Sequence, residues 1–490
     1  MKTSIRSVLP LITFLCLTVI RPGARAVVPA PDGGYPGGNT AEGQNALLSL
    51  TTGGFNTAVG FLSLRSDTTG QLNTGIGAGT LLANVGDNNT AIGAGALFSN
   101  TIGAQNTATG AFALFSNREG VGNTATGFEA LFNNTTGNEN TAYGAEALQS
   151  NTTGMGNAAC GFEALQSNTT GNSNAAMGFF ALHANTTGLG NTATGNTALL
   201  GNISGGNNTA TGNGTLQGNT TGDLNTATGE AALLFNTTGN NNTAIGAQSM
   251  QNNHTGSGNT AIGIGALANT TGFSNTAIGA SAGQNLTTGS NNIDIGNNGV
   301  AGESGIIRVG TANNQTKTFV AGIRAVTTGN NNAIPVLIDS AGQLGTASSS
   351  RRFKKAIEPM NKASEVILAL KPVTFHYKSD PAGARPQFGL IAEEVAEVNP
   401  DLVVCDENGE IYTVRYDAVN AMLLNEFLKE HRKNEEQQAT IAELKSAMAQ
   451  QQTAMETVVA RLNEYDLKIQ EVSDQVQING AEQRVVASKQ

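Results

Sequence analysis

The chain has 490 residues, of which 62 are glycine and none is tryptophan; aromatic residues make up 5%, charged residues 13%, and the formal net charge is −10. Ordinary globular domains carry roughly 25% charged residues, so a thick core running along the whole chain is excluded. Residues 27–347 hold only five Lys/Arg, which excludes the clustered positive charge that nucleic-acid binding requires.

In chain order, the first 26 residues predict a secretory signal. Lys2 and Arg6 form a basic start, Val8 to Ile20 an apolar stretch, and Ala24-Arg25-Ala26 a small-x-small cleavage pattern. Cleavage is expected after Ala26, placing the product outside the cell or on its surface. The apolar stretch is short for a membrane span, and no later stretch reaches 18 apolar residues, so no transmembrane segment is expected. A lipid anchor on Cys16 is disfavoured by the bulky Leu15 before it.

A linker, 27–38, leads into a repeat that fills residues 39–292. Sixteen units each begin with an asparagine, from Asn39 to Asn292; 13 of the 15 intervals are 17 residues and two are 16. The consensus is N-T-A-x-G-x-x-A-L-x-x-N-T-T-G-x-x. A 17-residue unit is too short for a helix pair but suits one coil of a β-solenoid or β-roll, expected here as two short strands and two turns. Thr and Ile favour strands. Ala at position 3 and Ala-Leu at positions 8 and 9 predict a narrow interior. Asn and Gly tolerate left-handed backbone, so N-T-T-G is expected to be the turn. Stacked asparagines predict hydrogen-bonded ladders, and sixteen coils at the strand spacing give a rod on the order of 75 Å.

The array offers little chemistry. Aspartate, which calcium-binding repeats use, is nearly absent. Glu129, Glu146 and Glu163 recur at one repeat position and are expected to form a solvated stripe rather than a glycosidase acid/base pair. Several Asn-x-Thr sequons would accept glycans in a eukaryotic secretory pathway. Cys16, Cys160 and Cys405, like His183, His254, His376 and His431, are scattered. No disulfide framework, metal site or cofactor is expected.

Residues 293–347 are expected to form a small β neck, with strand-like pieces at 305–309, 318–323 and 334–338. Composition then changes abruptly. Ser349-Ser350-Arg351-Arg352-Phe353-Lys354-Lys355-Ala356-Ile357 is similar to the S-D-x-R-x-K-x-x-I start of the peptidase S74 family, the intramolecular chaperone auto-processing domains at the C-termini of phage endosialidases and tail fibres. Leu370 to Tyr377 resembles its L-x-P-V-x-F-x-Y strand, Gly389 to Val395 its G-L-I-A-x-E-V element, and Val414-Arg415-Tyr416 its V-x-Y. The resemblance covers about 348–432. It implies a Ser349 nucleophile, a Lys354 base and a cut between Ser348 and Ser349. Ser350 stands where the family has Asp; Ser348 and Ser350 are alternative nucleophiles. From chemistry alone, a serine hydroxyl needs a base, and a lysine serves when burial strips its ammonium of water. Asp380, Glu393 and Glu394 are expected to be solvated.

From 433 to 478, Ile441, Leu444, Met448, Gln451, Met455, Val458, Leu462, Tyr465, Ile469, Val472 and Val476 alternate in steps of three and four, the pattern of a coiled coil. Residues 479–490 are expected to be a disordered tail. The chain thus reads as mainly β: a 17-residue-repeat solenoid, a β neck, then an α+β chaperone domain with a coiled coil. The solenoid unit also resembles the N-S-x-A-I-G head repeats of trimeric autotransporter adhesins, carried by Asn242 to Gly246 and Asn275 to Gly279. That likeness implies a homotrimer. The expected function is a secreted trimeric fibre whose C-terminal chaperone removes itself by a single serine autoproteolysis, with a glycan or protein ligand unspecified. The rival is a structural fibre that never cleaves, its last domain serving only to trimerise. A glycan-degrading phage spike is disfavoured by the signal, and ice or surface binding by the lack of an evident flat T-x-T face.

Overall fold

The structure, a computed structural model, describes residues 35–486 apart from 313, 324–327, 330–332, 340 and 407, with side chains described to residue 478. The expected signal, with its cleavage site, and the last four residues of the expected tail lie outside the described residues. Two compact units divide between Val320 and Ala321.

The first unit is a parallel β-solenoid. Strands β1 (Thr40–Glu42) to β16 (Ile293–Ile295), one per repeat, stack with β17 (Ile307–Val309) into a single 17-stranded sheet. Each strand has three residues, and identical repeat positions pair: Thr209 with Thr226, Ala210 with Ala227, Thr211 with Thr228. The alternation of a strand turns position 3 inward and positions 2 and 4 outward. Hence the position-3 alanines from Ala91 to Ala277 are buried, together with Ala and Leu of positions 8 and 9. The sheet runs past Asn292, because Ile307–Val309 continues the register instead of joining a neck.

Two expectations are corrected here. Each coil contains one strand, not two. The opposite wall is a run of turns whose backbone alternates in sign: Glu146 has φ 59° and Leu148 φ 52°. This alternation sends successive N–H groups to opposite neighbours. Glu146 donates to the Phe128 carbonyl of the preceding coil at 2.8 Å, and Leu148 to the Ala164 carbonyl of the next at 3.0 Å. Stacking is therefore hydrogen-bonded on both walls without a second strand. The residues of positive φ are not those of N-T-T-G but the glycine at position 5, position 7, position 9 and the last of the repeat. A non-glycine residue costs about 1–2 kcal/mol there, and fully burying a leucine side chain returns about 2 kcal/mol. That balance explains leucine at position 9. The glycine of N-T-T-G is needed for space: at Gly137 a Cβ would lie 2.4 Å from Asn134 Oδ1 and from the Gly154 carbonyl oxygen.

The asparagine ladders form as expected, in two columns inside the coil. In the position-1 column, Asn157 donates from its backbone N–H to Asn140 Oδ1 (3.0 Å) and from Nδ2 to the Gly171 carbonyl (2.9 Å). In the position-12 column, Asn168 Nδ2 donates to Asn151 Oδ1 at 2.8 Å and to the Gly171 carbonyl at 3.0 Å. These position-12 asparagines head the N-T-T sequons and are fully buried. In the folded coil these buried asparagines cannot carry glycans, whereas Asn133 and Asn269, which also head Asn-x-Thr sequons, are exposed.

The glutamate row is also not a solvated stripe. Gln149 Nε2 donates to Glu129 (2.6 Å), Gln166 Nε2 to Glu146 (2.7 Å), and His183 Nε2 lies 3.0 Å from Glu163. Glu163 is buried. Burial, and secondarily the charge of Glu146, raises the Glu129 carboxyl above its ordinary range, against the lowering effect of the Gln149 bond. Five strands read Thr-Ala-Thr with both hydroxyl residues outward, but they fall in two groups, Thr107–Thr109 with Thr124–Thr126 and Thr192–Thr194 with Thr209–Thr211 and Thr226–Thr228, and Tyr143, Cys160 and Met177 face outward between them, so the Thr rows are interrupted.

The second unit is small and mixed. β18 (Leu337–Ile338) pairs antiparallel with β19 (Leu344–Gly345), β20 (Val373–Phe375) with β21 (Gln387–Gly389), and β22 (Val403–Cys405) with β23 (Ile411–Val414). Helix α1 (Ala392–Val398) and the start of α2 (Tyr416–Val486) close a core of Val395, Leu402 and Val414. Of the expected neck strands, 318–323 forms none among its described residues. The 71-residue α2 continues through residues 479–486, where a tail was expected. The heptad apolar residues of α2 from Ile441 to Val476 are about half exposed or more.

Candidate functional site

Ser349, Ser350 and the 3-10 turn Arg351–Phe353 open the chaperone-like segment. The Phe353 N–H donates to the Ser350 carbonyl and the Lys354 N–H to the Arg351 carbonyl, both at 3.1 Å. This single turn brings the i and i+5 side chains round to one side. Lys354 Nζ donates to Ser349 Oγ at 3.3 Å. Arg352 lies over the Phe353 ring, 4.7 Å from its centroid, a cation–π contact that leaves its guanidinium out of the pair. Ser348 Oγ accepts from the Ser350 N–H at 3.4 Å. So the structure brings Ser349 and Lys354 together and holds neither Ser348 nor Ser350 against the lysine. Ser348 through Lys354 are all exposed. The contact is present in the single chain, but the burial that a lysine base needs is not.

The sequence reading missed a second Ser/Lys contact. Ser364, fully buried in the 3-10 segment Asn361–Ala369, faces three residues of α2 at i, i+1 and i+4. Asn425 Nδ2 donates to Ser364 Oγ at 2.7 Å, Lys429 Nζ lies 3.4 Å away, and the Ser364 hydroxyl donates to Glu426. Asn425 also reaches the Asn361 carbonyl at 3.3 Å. The hydrogen bond from Lys429 holds the Glu426 carboxyl below its ordinary range, and the same bond holds the Lys429 ammonium above its own. A lysine kept protonated, beside a serine whose proton is already committed to a carboxylate, is a clamp rather than a dyad. It pins the segment after the Ser349 turn to the long helix. Its signal was the i, i+1, i+4 spacing of Asn425, Glu426 and Lys429, recognisable only with the partner serine known.

The other landmarks take structural places. Val373–Phe375 is strand β20, and Gly389 to Val395 runs from the end of β21 into α1. The Leu390 N–H donates to Tyr416 Oη at 3.1 Å, joining two of the landmark stretches. Glu393 and Glu394 are exposed, and Asp380 accepts from the Tyr377 N–H at 2.9 Å in a local turn. Among the described residues no group of three His, Cys, Asp or Glu could hold a metal, no helix is long and apolar enough to cross a membrane, and Cys160 and Cys405 are free thiols.

No curated protein sequence matches the chain. Residues 349–404 match the family model Peptidase_S74, described as the chaperone of endosialidase, and the match begins at Ser349.

Proposed function

We propose that this chain is a secreted fibre of the tail-fibre kind. Its C-terminal unit assembles three copies and then cuts itself away between Ser348 and Ser349. The observation that carries the reading is the 3.3 Å approach of Lys354 Nζ to Ser349 Oγ at the first residue of the family match. In the cleavage, Ser349 Oγ adds to the Ser348 carbonyl carbon while an uncharged Lys354 takes the hydroxyl proton. The peptide C–N bond then breaks, its nitrogen gaining that proton, and an ester joins the Ser348 carboxyl to Ser349 Oγ. Water hydrolyses the ester and frees the fragment from Ser349 to Gln490. Because the single chain leaves Lys354 in water, assembly is the step that must exclude it. Cleavage follows trimerisation in this scheme, and loss of the chaperone leaves the fibre kinetically trapped.

The exposure of both residues favours one rival, a fibre whose last unit trimerises without cutting. Electrophoresis of the expressed full chain separates the two. Autoproteolysis yields a fragment of 142 residues (349 to 490) that disappears in Ser349→Ala and in Lys354→Met. A single uncut band from a protein that sedimentation shows to be trimeric overturns cleavage and leaves the structural fibre.

A further inference from the structure

We propose that the free edge of β17 is a strand-accepting site, and that its occupant is residues 318–321 of the same chain, which close the solenoid as an eighteenth strand. The segment keeps the strand signature of the coils. Asn292-Ile293-Asp294-Ile295-Gly296 and Ile306-Ile307-Arg308-Val309-Gly310 each set four residues before a glycine, and Thr318-Phe319-Val320-Ala321-Gly322 does the same. The three glycines share a positive φ, at 60°, 79° and 79°. Thr318, Phe319 and Val320 are the last residues of the solenoid unit, yet they form no strand there, and Phe319 is 90% and Val320 62% exposed.

The edge matches the segment group by group. In earlier coils the N–H at the second position donates to the first-position carbonyl of the next coil, Thr276 to Asn292 at 2.8 Å and Ile293 to Ile306 at 2.9 Å. Ile307 holds that position where no coil follows, and Val309 is 68% exposed against 39% for Ile295 one coil before. A strand at 318–321 gives Ile307 the Thr318 carbonyl. It gives the Val309 carbonyl the Gly322 N–H, as Gly310 gives its own to Ile295 at 2.8 Å. Phe319 comes to lie beside Ile307, an aromatic and β-branched pair on neighbouring strands. Val320 takes the inward place over Arg308, whose charge Glu303 already meets at 2.7 Å. The same chain is favoured over another because it has already turned back. The Asn314 N–H donates to the Thr311 carbonyl at 3.1 Å, and Gln315 Oε1 accepts from the Thr311 N–H at 2.7 Å. The seven residues 311–317 reach roughly 23 Å when extended, against about 10 Å of strand to retrace. A strand tethered this closely outcompetes free ones.

Disulfide trapping tests the pairing in the full chain carrying Cys16→Ser, Cys160→Ser and Cys405→Ser. Ile307→Cys with Phe319→Cys, and separately Val309→Cys with Ala321→Cys, place thiols directly opposite, inside the roughly 7 Å Cα limit of a disulfide. Mild oxidation should link each pair within one chain, as read by peptide mass mapping. The offset pair, Ile307→Cys with Ala321→Cys, lies about 8 Å apart and should link roughly tenfold less. Hydrogen exchange of the unsubstituted chain gives a readout that no variant can disturb: the Ile307 amide should exchange about tenfold or more slower than an unstructured one. An unprotected Ile307 amide overturns the proposal, and so does the absence of a link in both opposed pairs. Equal yield from the offset pair means a loose segment and overturns it too. Links that join two chains make a second copy the occupant and overturn the closure within one chain.

Discussion

Asn151 Nδ2 donates to Asn134 Oδ1, one coil earlier, at 2.8 Å, and both side chains are fully buried. The ladder therefore has a direction. Each amide gives its proton toward the N-terminal end and accepts from the coil that follows. Only its first place suits that direction. Asp67, an acceptor with nothing to donate, occupies the first place, and Thr270 the last, where Asn253 Oδ1 is left without a donor.

Direction makes the same chemical change costly in one place and harmless in another. Asn151→Asp keeps the acceptor but loses the donor to Asn134 and to the Gly154 carbonyl. At about 1–3 kcal/mol per buried group left unpaired, it should cost roughly 3 kcal/mol. Asp67→Asn should be neutral or stabilising, since burial already raises the Asp67 carboxyl against its hydrogen bonds to Gly70, Asn73 and Asn84. Urea unfolding of the two variants checks this. Equal losses would remove the argument for polarity.

Leu131 combines full burial with a left-handed backbone, φ 53°. Leu131→Ala should cost about 2–5 kcal/mol through the cavity it opens. Glycine normally costs a further ~0.5–1 kcal/mol relative to alanine. Here relief of about 1–2 kcal/mol of backbone strain should make Leu131→Gly no worse than Leu131→Ala. Thermal melts of both proteins test the ranking, and a clearly less stable glycine variant would refute it.

Asp294 sits at the buried alanine position of β16 with both carboxylate oxygens unpaired. Its register partner Arg308 is taken by Glu303 at 2.7 Å. Burial first, then the charge of Glu303, pushes the Asp294 carboxyl up to about 6, with Arg308 opposing. A folded value above the unfolded one means the protonated form is favoured by folding. The stabilisation is therefore complete below the unfolded value of 3.8 and fades as pH rises through about 6. Hydrogen exchange of β16 and β17 should show more protection at pH 4 than at pH 7.5, and Asp294→Ala should flatten that dependence. Unchanged pH sensitivity in the variant would rule the carboxyl out.

Much of the solenoid was legible because translation by one coil superimposes equal repeat positions. Ala91, Leu97 and Asn106 could be placed in interior columns from spacing alone. The left-handed leucines could not, since leucine avoids that conformation locally and adopts it only where a neighbouring coil rewards the burial. In the second unit, Ser349 and Lys354 were found by pattern, and the turn at Arg351–Phe353 places them together. Ser364 was missed because its partners lie more than 60 residues away on α2.

What the sequence determined by itself is the stacking: a 17-residue period, small apolar residues at fixed places and an asparagine at two of them leave the chain only one register in which like meets like. What the tertiary structure decided is the direction in which each position points, because sidedness depends on backbone signs enforced by adjacent coils. It decided solvent access as well, burying Ser364 under a distant helix and leaving Ser349 and Lys354 in water, since burial is a property of everything packed around a residue and not of its neighbours in the chain.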